Sequence, residues 1–194
     1  MEFIKSYLSE VRKIAESLDL IVIDQMIEKL KNLRSRGGRL FILGVGGSAG
    51  NATHAVNDFR KLAHIDSYAP TDNVAEITAR TNDEGWETVF DSYLEISNLK
   101  KEDCVLILSV GGGDLNKRVS VNLCRGIEYA KSRGALILAI VGKTGGHAHK
   151  FGDLCLVIPE VNKDHITPHS EAFQAVIWHL LVSDPRLKVS QVKW

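Results

Sequence analysis

Hydrophobic and polar positions divide the chain into an N-terminal part with helical spacing and a longer part that contains continuous apolar runs. Between residues 3 and 33 the apolar positions recur mostly every three or four residues, with an interruption near residues 18–20. This spacing predicts two amphipathic helices before the first strand. We expect residues 1–36 to form a helical arm whose long apolar face packs against another subunit, the alternative being that it packs on its own domain.

Three apolar runs farther along the chain end in glycine. They cover residues 39–45, 104–109 and 135–141, and Gly46, Gly111 and Gly142 follow them. Continuous apolar runs are typical of parallel strands buried on both faces, and ligands bind where the C-terminal ends of such strands meet helix N-termini. Because glycine lets backbone N–H groups come close to a phosphate, we expect a parallel sheet with an anion-binding edge.

The alternation of strand-like and helix-like segments predicts the remaining secondary structure. We expect strands at residues 40–44, 104–109, 135–141 and 154–158, and helices at residues 48–62, 73–80, 85–98, 114–133 and 170–182. Such alternation predicts an α/β fold, a three-layer αβα sandwich with a doubly wound, mainly parallel sheet. A length of 194 residues fits one domain, which we expect to span residues 1–194.

Composition narrows the classes of partner and the compartment. The 24 Lys and Arg residues balance the 24 Asp and Glu residues, which argues against nucleic-acid binding. The apolar runs are shorter than the roughly 20 residues of a membrane span, and the charged N-terminus does not read as a secretory signal. Three cysteines without paired spacing indicate reduced thiols, so we expect a cytoplasmic protein that binds neither nucleic acid nor membrane.

The first glycine segment, residues 44–49 (GVGGSA), fits the G-x-G-x-x-A pattern of dinucleotide sites. Such a site also needs an apolar second strand that ends in an acid about 20 residues on, and the segment before Asp66 is too polar and too short. We therefore expect Gly47, Ser48 and the following helix N-terminus to bind a phosphomonoester. Residues 142–144 (GKT) are not a P-loop, because Ile137 stands where that motif requires glycine, and a turn is expected there.

The loop at residues 109–114 (SVGGGD) allows two interpretations. Ser109 and the backbone amides of Gly111 and Gly112 are candidates for binding a phosphate. Asp114 is a candidate N-cap for the next helix, but its charge would also repel a phosphate that used the same amides.

Asn82 and Asp83 lie between two predicted helices, in the sequence TNDEG. Asn, Asp and Gly are common turn residues, which is the structural interpretation. The functional interpretation is that the amide and the carboxylate hydrogen-bond to sugar hydroxyls.

Two pairs of histidine and carboxylate lie on predicted helices. His54 and Asp58 are four residues apart, and Glu171 and His179 are eight apart, so each pair shares one side of its helix. Together they offer either an acid–base set or four metal ligands. The alternative is structural: Asp58 pairs with a neighbouring cation and His179 is a buried histidine beside a tryptophan.

Taken together, these motifs resemble the sugar isomerase (SIS) fold and, within it, the phosphoheptose isomerase family. The resemblance covers nearly the whole chain in the family's order. It rests on the two-helix arm, Gly46-Gly47-Ser48-Ala49 followed by His54, Thr81-Asn82-Asp83-Glu84-Gly85, Gly142-Lys143 with Gly145-Gly146, and Thr167, Glu171 and His179 of the last helix.

The resemblance implies an aldose–ketose isomerase that converts sedoheptulose 7-phosphate to D-glycero-D-manno-heptose 7-phosphate through an enediol. It also implies a homotetramer with sites between subunits, and one zinc ion per site in some members. Carried over to this sequence, the catalytic residues are Asp58, Glu171 and His179. The metal ligands are His54, Asp58, Glu171 and His179, and the substrate-binding residues are Gly47, Ser48, Asn82, Asp83, Ser109, Gly111 and Gly112.

Three positions depart from the family pattern. Asp58 stands where glutamate is usual, Glu171 stands where glutamine is usual, and the loop at residues 109–114 keeps only the Ser109 hydroxyl. Glu171 is therefore an alternative base to Asp58, or both carboxylates bind a metal more strongly than the usual set. The alternative functions are a non-catalytic SIS module that binds a sugar phosphate or a protein partner, and an isomerase of another sugar phosphate.

Overall fold

A computed structural model describes residues 1–191 of the chain, and residues 192–194 lie outside it. Its sheet has five strands in the order β2-β1-β3-β4-β5, and every neighbouring pair is parallel. The strands are β1 (Leu40–Gly44), β2 (Ser67–Tyr68), β3 (Cys104–Ser109), β4 (Leu136–Val141) and β5 (Leu154–Val157). Four strands match the prediction. β2 was missed, because a strand of two residues carries no periodicity.

Eight α-helices flank this sheet within the described residues. They are α1 (Glu2–Glu16), α2 (Leu20–Ser35), α3 (Gly47–Ala63), α4 (Val74–Asp83), α5 (Val89–Ile96), α6 (Val121–Ser132), α7 (His147–Phe151) and α8 (Ile166–Ser183). The short helix α7 was not predicted, and α8 begins four residues earlier than expected.

The helix expected from residue 114 begins only at Val121, so the prediction that Asp114 caps it is wrong. Asp114 instead forms an antiparallel bridge with Val119, and its Oδ1 accepts a hydrogen bond from the Lys117 N–H at 3.1 Å. The carboxylate thus closes a tight turn, and the backbone of residues 114–120 stays outside the helix.

Alternate residues of the strands face two separate apolar layers. Ile42 packs in the cluster formed with α2, α3 and α8, whereas Leu43 packs in the cluster formed with α5 and α6. Because strand side chains alternate between faces, the sheet is buried on both sides. This confirms the three-layer αβα sandwich.

Strand order places a crevice at one end of the sheet. After β1 the chain forms β2 on one side and then crosses to form β3 on the other side of β1. The loops that follow β1 and β3 therefore diverge at a topological switch point, where open α/β sheets bind ligands. Gly46, with φ 64°, makes the sharp turn from β1 into α3 that forms one wall of this crevice.

The N-terminal arm consists of two helices, as expected, and within this chain part of the apolar face of α1 is exposed. Glu10 and Ile14 are its buried residues, whereas Ile4 and Leu8 are 54% and 61% exposed. One polar and one apolar residue therefore face the rest of the chain, and an apolar stripe remains on the outside. Among the described helices, none is both long and apolar enough to span a membrane.

Candidate active site

Helices α3 and α8 bring three of the predicted side chains together. Asp58 is buried, and its Oδ2 lies 3.5 Å from His54 Nε2 and 3.2 Å from His179 Nε2. One ligand atom from each residue lies within 4.8 Å of the other two. We call these three residues the Asp58 cluster.

Two donors hold the Asp58 carboxylate in place. Trp178 Nε1 donates to Asp58 Oδ2 at 3.2 Å, and Asn57 Nδ2 donates to Oδ1 at 3.0 Å. Sequence analysis did not assign Trp178 this role, because the spacing of residues along one helix does not show that an indole reaches a carboxylate on another helix. The buried indole contacts the carboxylate from the protein interior, and the two imidazoles lie on the exposed side of the carboxylate.

The proton arrangement of His179 follows from its second hydrogen bond. Its Nδ1 lies 2.8 Å from the backbone oxygen of Ala175, which only accepts, so Nδ1 carries the proton. A neutral ring would then present a bare lone pair at Nε2 to the Asp58 carboxylate, which is repulsive. The geometry therefore suits either an imidazolium at His179 or a cation between Nε2 and Asp58.

Glu171 does not join the Asp58 cluster. Its carboxylate lies against Gly47, where a Cβ atom would be only 2.4 Å from Glu171 Oε2. Residue 47 therefore has to be glycine for Glu171 to lie at the positive N-terminal end of α3. Ser48 is buried, so a ligand at this helix terminus would meet Gly47 and Glu171 before the serine side chain.

The loop after β3 uses part of its hydrogen-bonding capacity internally. Ser109 Oγ accepts the Gly112 N–H at 3.0 Å, and both residues are buried. Gly111 is exposed and lines a cavity of about 410 Å³ between this loop and the loop after β4. The cavity is lined by Gly111, Gly113, Asp114, Lys117, Val119, Lys143, Thr144, Gly145 and Gly146.

The two glycine loops form one unit. The N–H groups of Gly142 and Ala148 donate to the carbonyls of Val110 and Gly112, each at 2.9 Å. A Cβ atom at residue 146 would lie 2.0 Å from the Gly111 oxygen, so only glycine allows this approach. The segment after β4, which sequence analysis treated as a simple turn, thus forms one wall of the cavity. Lys143 of this segment is one of the residues that line it.

Asn82 and Asp83 lie elsewhere in this chain. They end α4, are exposed, and hydrogen-bond to each other at 2.7 Å. Asn82 lines an open hollow of about 610 Å³ with Ile77, Thr78, Thr81 and Trp86, none of which lines the cavity at the glycine loops. Both residues stay predicted substrate-binding residues, but one chain alone does not bring them to the Asp58 cluster.

The cysteines are free, as expected, and none suits a thiol nucleophile. Burial raises the pKa of Cys124 and of Cys155 to about 11, and raises that of Cys104 still further. The reactive thiolate is therefore scarce at neutral pH.

The Asp58 cluster fits a divalent cation by its donors. Two imidazoles and one carboxylate are a common zinc ligand set, and the Trp178 hydrogen bond would orient the ligating carboxylate. A second group, Glu10, His165 and His169, meets the same geometric condition. Sequence analysis missed it, although the four-residue spacing of His165 and His169 was a usable signal.

Comparison with known proteins places the chain in a family. No family model matches it. It is 30% identical to a probable phosphoheptose isomerase of Thermoplasma volcanium over 80% of this chain and 78% of that protein. It is 26% identical to the phosphoheptose isomerase of Aneurinibacillus thermoaerophilus over 93% and 90% of the two chains.

Solved structures agree on the fold. The phosphoheptose isomerase of Neisseria gonorrhoeae superimposes with a TM-score of 0.80 at 20% identity, covering 93% of this chain and 95% of that one. The sugar isomerase domain of an RpiR transcription factor from Sphaerobacter thermophilus gives a TM-score of 0.63 at 16% identity. The fold is thus that of sugar isomerase domains, and with the sequence identity above it shows that this chain is an isomerase belonging to the phosphoheptose isomerase family.

Proposed function

We propose that this protein interconverts sedoheptulose 7-phosphate and D-glycero-D-manno-heptose 7-phosphate through an enediol. Membership of the family supports the reaction class. The observation that carries the proposal is the pairing of Asp58 with His179, a buried carboxylate 3.2 Å from an imidazole nitrogen on the exposed side of the site. Aldose–ketose isomerisation needs one group that moves a carbon-bound proton and one that moves an oxygen-bound proton.

The proton transfers divide between these two residues. The Asp58 carboxylate takes a proton from C1 of the ketose while His179 donates a proton to the C2 carbonyl oxygen, which gives the enediol. Asp58 then returns its proton to C2. The O1 hydroxyl loses its proton to His179 as the C1 aldehyde forms, so both groups end as they began.

The placement of the two carboxylates supports Asp58 as the base. Asp58 is buried and held by Trp178 and Asn57, so its position is fixed beside His179. Glu171 instead lies at Gly47, at the entrance to α3. We propose that Glu171 binds sugar hydroxyls there, because its negative charge disfavours a phosphate at the same place.

The phosphate then belongs in the cavity between the two glycine loops. Gly111 is exposed there, and Lys143 and Lys117 line the same cavity. The Asp114 carboxylate lies 3.7 Å from Lys117 Nζ, and the two lysines offset its charge. Ser109 and Gly112 shape this loop through their mutual hydrogen bond, with the serine hydroxyl proton still available for donation. Asn82 and Asp83 would take part only from another subunit.

As the alternative to this free acid–base pair, we propose one zinc ion per site, held by His54, Asp58 and His179, whereas Glu171, the fourth predicted ligand, lies at Gly47 in this chain. When bound, a divalent cation there would polarise the oxygens at C1 and C2 of the sugar. The donor set and the bracing of Asp58 support this assignment. Activity measured after chelation and after zinc is added back distinguishes a metal-assisted site from a purely organic acid–base pair.

The same family resemblance leads us to propose a cytoplasmic homotetramer. Exposed apolar side chains on the arm, Phe3, Ile4, Leu8, Leu20 and Ile21, supply a surface suited to subunit contact. Free cysteines are typical of a reducing compartment. Light scattering of the purified protein tests the assembly, and a monomeric mass would contradict it.

Proton NMR in deuterated water tests the reaction itself. Incubation with sedoheptulose 7-phosphate should yield aldoheptose signals with deuterium at C2, since a base that exchanges with solvent returns deuterium to that carbon. Folded protein that gives neither conversion nor exchange, with or without zinc, would contradict the proposal and favour a binding module. Exchange with a different sugar phosphate only would redirect the substrate assignment.

A further inference from the structure

We propose a second metal site, formed by Glu10, His165 and His169, that binds Zn²⁺ or a similar divalent transition metal and fastens the N-terminal arm to α8. We call these residues the Glu10 cluster. The inference does not depend on the proposed reaction, because none of the three residues belongs to the Asp58 cluster or to the cavity at the glycine loops.

The ligand atoms converge on one carboxylate oxygen. Glu10 Oε2 lies 2.8 Å from His165 Nδ1 and 2.8 Å from His169 Nε2. The two histidines are four residues apart at the start of α8, a spacing that directs both imidazoles to one side of a helix. A tetrahedral zinc ion would require each nitrogen to move from that oxygen by only about 0.5 Å.

The hydrogen bonds around the Glu10 cluster leave room for a cation. Asn162 Nδ2 lies 2.8 Å from Glu10 Oε1 and 3.1 Å from His165 Nδ1, while Asn162 Oδ1 accepts the Asp164 N–H at 3.0 Å. The amide nitrogen is therefore the atom that faces the cluster. His165 Nδ1 either accepts from this amide or donates to Glu10, and one nitrogen does not do both.

A proton on His165 Nδ1, donated to Glu10, is one resolution of this conflict, and a cation is the other. If His165 Nδ1 accepts from Asn162, its lone pair stands close to the Glu10 carboxylate with no proton between them. A metal ion at that point binds both lone pairs. Asn162 then donates to Glu10 Oε1 alone, and so orients the ligating carboxylate as outer hydrogen bonds do in known metal sites.

The Glu10 carboxylate faces both histidines with a single oxygen, Oε2. His169 is buried, and its other nitrogen, Nδ1, has no hydrogen-bond partner within residues 1–191. Nothing outside the cluster therefore fixes the tautomer of this ring, and Nε2 can either donate to Glu10 or bind a metal through its lone pair.

Aromatic rings limit the access of water to the cluster. The Tyr7 ring lies 4.6 Å from the His169 ring and 5.2 Å from the His165 ring, measured between centroids. The site is also remote from the catalytic one, because His169 and His179 are ten residues, or about 15 Å, apart along α8. A metal here would cross-link α1 and α8 and would not contact the substrate.

Zinc titration by calorimetry tests the proposal on the full chain after dialysis against a chelator. Wild type should bind two equivalents of Zn²⁺. The double variant His54→Asn, His179→Asn should retain one tight equivalent, and adding Glu10→Gln to it should lower the remaining affinity at least about 100-fold, the size of effect seen when a metal ligand or its support is lost. Glu16→Gln, an exposed acid on the same helix, is the matched control and should change nothing.

Two further measurements keep the test decisive if Glu10→Gln destabilises the fold. In the His54→Asn, His179→Asn background, Zn²⁺ should raise Tm, and Co²⁺ should give visible d–d bands that His169→Asn removes while circular dichroism stays native. Loss of all tight Zn²⁺ binding in that background, with the fold intact, would overturn the proposal and leave the Glu10 cluster as a hydrogen-bonded clasp. The same result leaves the proposed isomerase activity untouched, since that activity is measured separately.

Discussion

The two histidine–carboxylate clusters of α8 use the same chemical groups with opposite exposure. In the Asp58 cluster the carboxylate is buried, while the side chains of His54 and His179 are 56% and 48% exposed. In the Glu10 cluster the side chains of His169 and His165 are only 4% and 23% exposed. Imidazoles that face solvent can meet a substrate, whereas a buried imidazole can only hold another part of the protein. The comparison teaches that access, and not ligand type, separates a catalytic from a fastening site.

The difference originates in which residue receives the supporting hydrogen bonds. Trp178 and Asn57 brace the Asp58 carboxylate from the protein side, which leaves His54 and His179 at the surface. Glu10 instead projects from the separate helix α1, and its carboxylate contacts the buried His169 on α8 and the partly exposed His165 just before that helix. The arm therefore completes one cluster and takes no part in the other.

The largest effect on kcat/KM is expected for substitutions in the Asp58 cluster. Asp58→Asn keeps the size and the Trp178 hydrogen bond but removes the base, so kcat/KM should fall by about 10² to 10⁴-fold with native circular dichroism. Asp58→Glu restores the residue usual in the family and is the matched control, with measurable turnover expected. Wild-type activity in Asp58→Asn would transfer the role of base to Glu171.

Gly47→Ala tests the role of the Glu171 carboxylate independently of the Asp58 carboxylate. The new methyl group would lie 2.4 Å from the Glu171 carboxylate and push this flexible side chain away from α3. We expect kcat/KM to fall by about 10²-fold, as for a displacement near 1 Å, while the fold is retained. Gly50→Ala, where a Cβ atom meets nothing within 4 Å, is the control. Equal activity of both variants would remove Glu171 from the site.

Glu10→Gln should lower stability and leave activity nearly unchanged, which is the opposite of what we expect for Asp58→Asn. The neutral amide weakens the contacts to His165 and His169, so Tm should fall by a few degrees while kcat/KM stays within about twofold of wild type. Thermal unfolding and steady-state kinetics on the same preparation measure both. A large loss of activity at unchanged Tm would mean that the two clusters are not functionally separate.

The smallest effect concerns a buried carboxylate that pairs with arginine instead of histidine. Burial opposes ionisation of Asp103, but the hydrogen bonds donated by Arg39 and by the Lys100 N–H keep its pKa below the ordinary 3.8. A lowered pKa in the folded state means that this contribution to stability is present above pH 3.8 and is lost as the pH falls below it.

Asp103→Asn should therefore flatten the pH dependence of the unfolding free energy in that acidic range only. Denaturant unfolding at a series of pH values measures it. Because arginine keeps its charge throughout, this pair reports carboxylate titration alone, which sharpens the contrast with the two histidine clusters. An unchanged acid slope would show that the ion pair contributes nothing to it.

Sequence periodicity predicted the strands well and the irregular segments poorly. The apolar runs that form β1, β3 and β4 are buried on both faces, and the edge strand β5 is half-buried, yet all four are apolar enough for composition to identify them. β2 and α7 are too short for any periodicity. Asp114 was predicted as a helix cap because the local sequence pattern does not show that the Lys117 N–H donates a hydrogen bond to its carboxylate in a separate turn.

For the site, spacing along a helix predicted what shares a face, and nothing more. It correctly paired His54 with Asp58, yet it also grouped Glu171 with them, although that side chain lies at Gly47. Glu10 escaped notice because a glutamate on an amphipathic helix reads as a solvent-exposed residue. Its burial depends on α1 docking through the side opposite to Ile4 and Leu8.

By itself, then, the sequence determined the sheet, the glycine loops at its ligand-binding edge, the helices that carry the histidines, and the resemblance to sugar isomerases. These are local properties, since burial on both faces, close backbone approach and helical spacing each act over a few residues. Only the tertiary structure decided that Trp178 supports Asp58, that Glu171 stands apart, and that Glu10 meets His165 and His169. Those contacts join residues more than 100 positions apart, and helix packing, which the periodicity of one element does not contain, sets their geometry.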